Sequence, residues 1–207
     1  MLFVSDYLKK GARNGGWSSL RTLYFDSLYI DEDVSCLADA LFLGGGGGPA
    51  PNLEELSFES LEEDTIELLG SDLFARGALA NITTLTFTSV DFTKQSMAAL
   101  IDGYRKSGHE GRHLKRLLFF DGCSVNDESV TLPAKASFPL IDGLRDGLPN
   151  LKELWMLGGK LVVQEVAEMV EMVRGGAPCA RTLRTVALSK KCEPADIEVL
   201  QAMVTLG

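Results

Sequence analysis

LKRLLF, residues 114–119, occurs in six variants along the chain: LRTLYF at 20–25, LEELSF at 53–58, ITTLTF at 82–87, LKRLLF itself, LKELWM at 151–156 and LRTVAL at 183–188. Each is apolar at its first, fourth and sixth places, and successive starts lie 33, 29, 32, 37 and 32 residues apart. Apolar residues two apart fall on one face of a strand, so each segment predicts a short strand with its fourth and sixth side chains turned inward. A near-regular period of this length predicts a chain built from repeated supersecondary units.

Between the segments the apolar spacing changes to three and four. In the fifth unit Val163, Val166, Val170 and Val173 mark one face of a helix, with Glu165, Glu168 and Glu171 on the others. Comparable stretches cover 34–42, 65–74, 95–104 and 197–206. Pro194 falls at the start of the last, where its missing N–H costs a helix nothing. Each unit therefore reads as a strand followed by a helix. Neither can bury its apolar face alone, and stacking the units as a parallel sheet lined by helices gives them a continuous core.

The L-x-x-L-x-L pattern, kept six times over residues 20–206, resembles the leucine-rich repeat family, in particular its long-repeat, ribonuclease-inhibitor-like class. The resemblance implies an α/β solenoid of about six strand-helix units, a curved parallel sheet with helices on the convex side. The second half of the family signature is not kept. Where Asn or Cys is usual the chain has Leu28, Leu61, Val90, Gly122, Gly159 and Lys191, with Cys123 and Cys192 one place later, so longer and irregular turns are expected. Residues 1–19 read as an N-terminal helix and lead-in, the form a remnant of a preceding repeat would take, and 20–207 as the repeat domain. Terminal repeats normally need a polar outer face. None is legible at either end, which predicts a longer solenoid or ends covered by other chains.

Inward fourth and sixth places leave the third, fifth and seventh on the concave face. Across the units these are Thr22, Tyr24, Asp26; Glu55, Ser57, Glu59; Thr84, Thr86, Thr88; Arg116, Leu118, Phe120; Glu153, Trp155, Leu157; and Thr185, Ala187, Ser189. Units four and five thus place Leu118, Phe120, Trp155 and Leu157 side by side, edged by Arg116 and Glu153, a composition that suits an interface hot spot. Together with Tyr24 these are the candidate partner-binding residues. The competing expectation is that the longest connection, 121–138, folds back and covers the patch.

Composition narrows the function. The chain has 207 residues, 45% hydrophobic and 24% charged, with a net charge of -9. Residues 26–75 carry 13 acidic side chains and no Lys or Arg. Such a block repels phosphate backbones and argues against nucleic acid; it suits a partner with a basic surface, or forms solvated helix and loop faces. No membrane span is legible, and the apolar start at residues 1–4 is too short for a signal-peptide core. Without such a signal the acceptor pattern Asn81-Ile82-Thr83 carries little weight. Cys36, Cys123, Cys179 and Cys192 lack C-x-x-C spacing, so reduced thiols in the cytoplasm or an organelle interior are expected.

Two catalytic patterns fail on inspection. His109, Glu110 and His113 match H-E-x-x-H, but zinc chemistry needs that spacing on a helix, and Gly108 and Gly111 interrupt it just before a strand. The chain has no third His, and catalytic zinc takes about three protein ligands. Gly44 to Gly48 lacks the Gly-Lys-Ser/Thr ending of a phosphate loop and reads as a connector. No catalytic residue, metal or cofactor is therefore expected. The expectation is a non-catalytic protein-protein interaction module, an adaptor or structural subunit of a larger complex. The resemblance also implies an alternative, a regulator of an enzyme, either GTPase-activating or a ubiquitin-ligase substrate receptor. For the GTPase case Arg105, Arg112 or Arg116 would have to face the transferring phosphate.

Overall fold

Side chains that alternate in polarity give a strand two faces, and a strand so patterned is held in place by burying one of them. The computed structural model describes residues 17–26, 34–35, 37–38, 52–76, 81–106, 113–120, 123–126, 148, 150–157, 171–172, 174–176 and 181–188. Each of the six segments contributes one strand: β1 (Thr22–Asp26), β2 (Glu55–Glu59), β3 (Thr84–Thr88), β5 (Arg116–Phe120), β7 (Glu153–Met156) and β8 (Thr185–Leu188). These form one six-stranded sheet in chain order, every neighbouring pair parallel. Two three-residue strands, β4 (Asp91–Thr93) and β6 (Ser124–Asn126), pair parallel in a second small sheet. That pair stands where the sequence predicts only irregular turns, and β6 lies within 121–138.

Register is uniform. Leu23, Leu56, Leu85, Leu117, Leu154 and Val186 fall in one row, and Phe25, Phe58, Phe87, Phe119, Met156 and Leu188 in the next. In the second row the rings stack: Phe25 on Phe58 at 5.7 Å, Phe58 on Phe87 at 5.8 Å and Phe87 on Phe119 at 5.7 Å, all within 20° of parallel. Phe92 of β4 meets Phe87 and Phe119 edge-on. Such pairs add about 0.5–1.5 kcal/mol each beyond the area they bury.

The strand entries share one hydrogen-bond arrangement. The carbonyl of Arg21 accepts from the amides of both Glu54 and Glu55, at 2.8 and 2.9 Å. Glu54, Thr83, Lys115 and Lys152 each do the same for two consecutive residues of the next segment. A shared turn follows β2 and β3, where Ser60 and Ser89 both adopt φ of 53°, the left-handed region.

Helices cover the apolar face. α1 (Glu63–Leu68) begins with Glu63 and Asp64, whose charges suit a helix N-terminus, and runs into a π-helical stretch, Leu69–Phe74. α2 (Lys94–Lys106) is opened by a reciprocal cap: the Ser96 amide donates to Thr93 Oγ1 at 3.1 Å and the Thr93 amide to Ser96 Oγ at 2.9 Å. It ends on Arg105 and Lys106, which suit the C-terminal end of the dipole. Ile66, Leu69, Leu73, Phe74, Met97, Leu100 and Tyr104 join the sheet's inward rows in one core. Gly70 and Gly103 let the two helical segments touch at backbone level; a Cβ on either would overlap backbone atoms of the other segment. Val34, Leu37 and Ala38, also helical, are fully buried in the same core. Within 163–173 only Glu171 and Met172 are described, both helical, the first exposed and the second buried. The predicted helices at 2–9 and 197–206 lie outside the described residues. The architecture is α/β, and among the described residues no helix is long and apolar enough to cross a membrane.

Candidate functional site

The face of the sheet opposite the helices carries the third, fifth and seventh places of the segments, as the alternation predicts. β2, β5 and β7 alternate half-buried and buried side chains along their length. Among the described outward positions only Thr84 is buried, at 5% exposure. The others are half-buried or exposed; most of 121–138, the segment expected as a possible cover, lies outside the described residues.

Three rows cross this face. The first runs Thr22, Glu55, Thr84, Arg116, Glu153, Thr185; the second Tyr24, Ser57, Thr86, Leu118, Trp155, Ala187; the third Asp26, Glu59, Thr88, Phe120. Leu157 extends the third row, its amide donating to the Phe119 carbonyl at 2.8 Å. Ser189 lies outside the described residues.

Leu118, Phe120, Trp155 and Leu157 come together as predicted. Phe120 and Trp155 meet edge to face, centroids 6.1 Å apart. All four are half-buried, as bulky neighbours on strands about 4.8 Å apart cover one another's flanks. Tyr24, 53% exposed, is the large apolar side chain left open among the described residues. Its hydroxyl donates to Glu59 Oε2.

Arg116 turns away from Glu153, its register neighbour, and reaches across β3. Its Nε donates to Thr84 Oγ1 at 3.0 Å and its Nη2 to Glu55 Oε1 at 3.2 Å. That reach buries Thr84. Thr22 Oγ1 donates to the other Glu55 oxygen at 3.2 Å. With both charged groups near 40% exposed, the Arg116–Glu55 pair contributes at most about 1 kcal/mol. Sequence reasoning missed this link, although the third-place row Glu55, Thr84, Arg116 holds the signal. It also missed a property of Trp155: the indole Nε1 is shielded from solvent and has no hydrogen-bond partner among the described residues.

Of the H-E-x-x-H residues, His113 sits exposed in a bend before β5, outside any helix, and His109 and Glu110 lie outside the described residues. So do Gly44 to Gly48, Cys36, Cys179, Cys192 and Arg112. Arg105 is exposed on α2, beside Asp102. Cys123 is buried, its Sγ donating to the Phe87 carbonyl at 3.5 Å, and burial raises its thiol pKa. Among the described residues no group of three His, Cys, Asp or Glu is placed to hold a metal ion.

No family model matches the chain, and no curated protein matches it at a significant level.

Proposed function

We propose that the chain is a leucine-rich-repeat-like solenoid and a non-catalytic protein-interaction module, a subunit or adaptor that docks partners on the outward face of its sheet. The fold reading is supported by six parallel strands in chain order, by the strand-entry hydrogen bonds repeated at five junctions and by the shared turn conformation at Ser60 and Ser89. The functional reading is carried by one observation: Leu118, Phe120, Trp155 and Leu157 form a contiguous apolar patch on a face whose remaining positions are polar or small apart from Tyr24. Aromatic anchors ringed by polar groups concentrate binding energy.

The test is fractionation of the native protein from its source, with the chain itself at 22.4 kDa. Elution far above that mass with co-migrating chains is expected. Trp155→Ala should cost roughly 2 kcal/mol or more in partner affinity while thermal stability changes little. Strong thermal destabilisation with unchanged co-migration would instead assign Trp155 to the protein's own packing and defeat the proposal.

A further inference from the structure

The outward face has two halves of different chemistry, and the register fixes their separation. β1 and β2 turn Tyr24, Asp26, Glu55, Ser57 and Glu59 outward. Asp26 and Glu59 are direct register partners, so two carboxylates face each other, an arrangement that weakens a sheet. Over the described outward positions four carboxylates stand against one guanidinium; Arg116 is directed at Glu55, Glu59 accepts from the Tyr24 hydroxyl and Asp26 has an interaction of its own. β5 and β7 supply the apolar half. Between the halves β3 presents Thr84, Thr86 and Thr88; the Arg116 side chain crosses it in the first row, over Thr84, and in the second and third rows the described residues place only the short Thr86 and Thr88 there.

Resting on the interaction reading above, we propose that this face takes an extended segment of a partner protein bearing a bulky apolar residue and, about four residues away, a Lys or Arg. The apolar residue seats against Leu118, Phe120 and Trp155, and the cation against Asp26 and Glu59. Three strand steps separate β2 from β7. At ~4.8 Å per step that is about 14 Å, which an extended chain spans in about four residues. A helix satisfies its own carbonyls. An extended backbone brings unsatisfied ones to the Ser57, Thr86 and Thr88 hydroxyls, whose residues keep contact with solvent. Net charge of -9 disfavours a second copy of the chain as occupant, and the carboxylates disfavour a phosphate-bearing one.

Random ten-residue peptides displayed on phage and selected against the full chain test this. Affinities of the enriched sequences would be measured by fluorescence polarisation on synthetic peptides. Enriched sequences should pair a bulky apolar residue with Lys or Arg about four positions away. Their affinity should fall at least about 30-fold with Trp155→Ala and about tenfold with Glu59→Lys. Asp102→Lys, on α2, should leave it unchanged. Should Trp155→Ala lose its far-UV signature, Leu118→Ser reads the same patch. Peptides that need Trp155 but carry no basic residue, or ignore Glu59→Lys, would overturn this inference and leave the interaction reading standing. Peptides indifferent to both Trp155 and Leu118, or no enrichment at all, would overturn both.

Discussion

Trp155 does two things at once: it packs edge-on against Phe120, and it holds an indole N–H away from water with no described acceptor. An unsatisfied sheltered donor costs about 1–3 kcal/mol. Trp155→Phe keeps an aromatic ring and deletes the donor, so urea denaturation should show unchanged or higher stability; a loss above about 1 kcal/mol would mean that lost ring packing or a hydrogen bond of the indole outweighs the relief of the donor. Tyr104 lies buried at 6% exposure, and that burial lifts its phenol pKa well above the ordinary value near 10, opposed in part by a hydrogen bond with the Leu114 backbone. The folded chain therefore keeps a proton that the unfolded chain releases above about pH 10. Stability from this group is whole below that pH and is lost as pH rises beyond it. Cys123 acts in the same direction from about pH 9. Unfolding free energy measured from about pH 8 to pH 11 should decline, and with a shallower slope in Tyr104→Phe.

At the scale of elements, the contact between α2 and the π-helical stretch rests on the absence of two side chains. Gly103→Ala would drive a Cβ, whose position its own Cα fixes, into the Gly70 carbonyl, which is main chain and cannot swing aside. A loss of about 3 kcal/mol or more is expected by thermal or chemical denaturation, with Gly70→Ala acting similarly through Ala99. The strands were legible in the sequence because alternation with a fixed apolar triplet has one simple solution, and the same alternation assigned Leu118, Phe120, Trp155 and Leu157 to the outward face. α2 was legible to within two residues at each end. The π-helical turn was not, because the apolar spacing of 65–74 accommodates either winding. β4 and β6 were invisible because three residues are too few to show a period. The Arg116 to Glu55 link depends on how far a long side chain reaches over a small one, which strand alternation does not encode.

For the molecule as a whole, the strand order decides how stability is distributed. Phe58, Phe87 and Leu154, on interior strands, are at most 1% exposed, whereas Leu23 and Phe25 on β1 and Val186 on β8 are only half-buried. Amide hydrogen exchange should be slowest in β3 and β5 and fastest in β1 and β8, since local opening is easiest where apolar burial is least. Uniform protection across all six strands would contradict this. The in-order sheet has one more consequence, for mechanics. β1 and β8 occupy opposite edges, so tension applied between Trp17 and Leu188 crosses the five strand interfaces in series, each carrying the same load. Under such a load the links yield singly, beginning with an edge strand, and the extension record is a succession of small steps rather than one abrupt rupture.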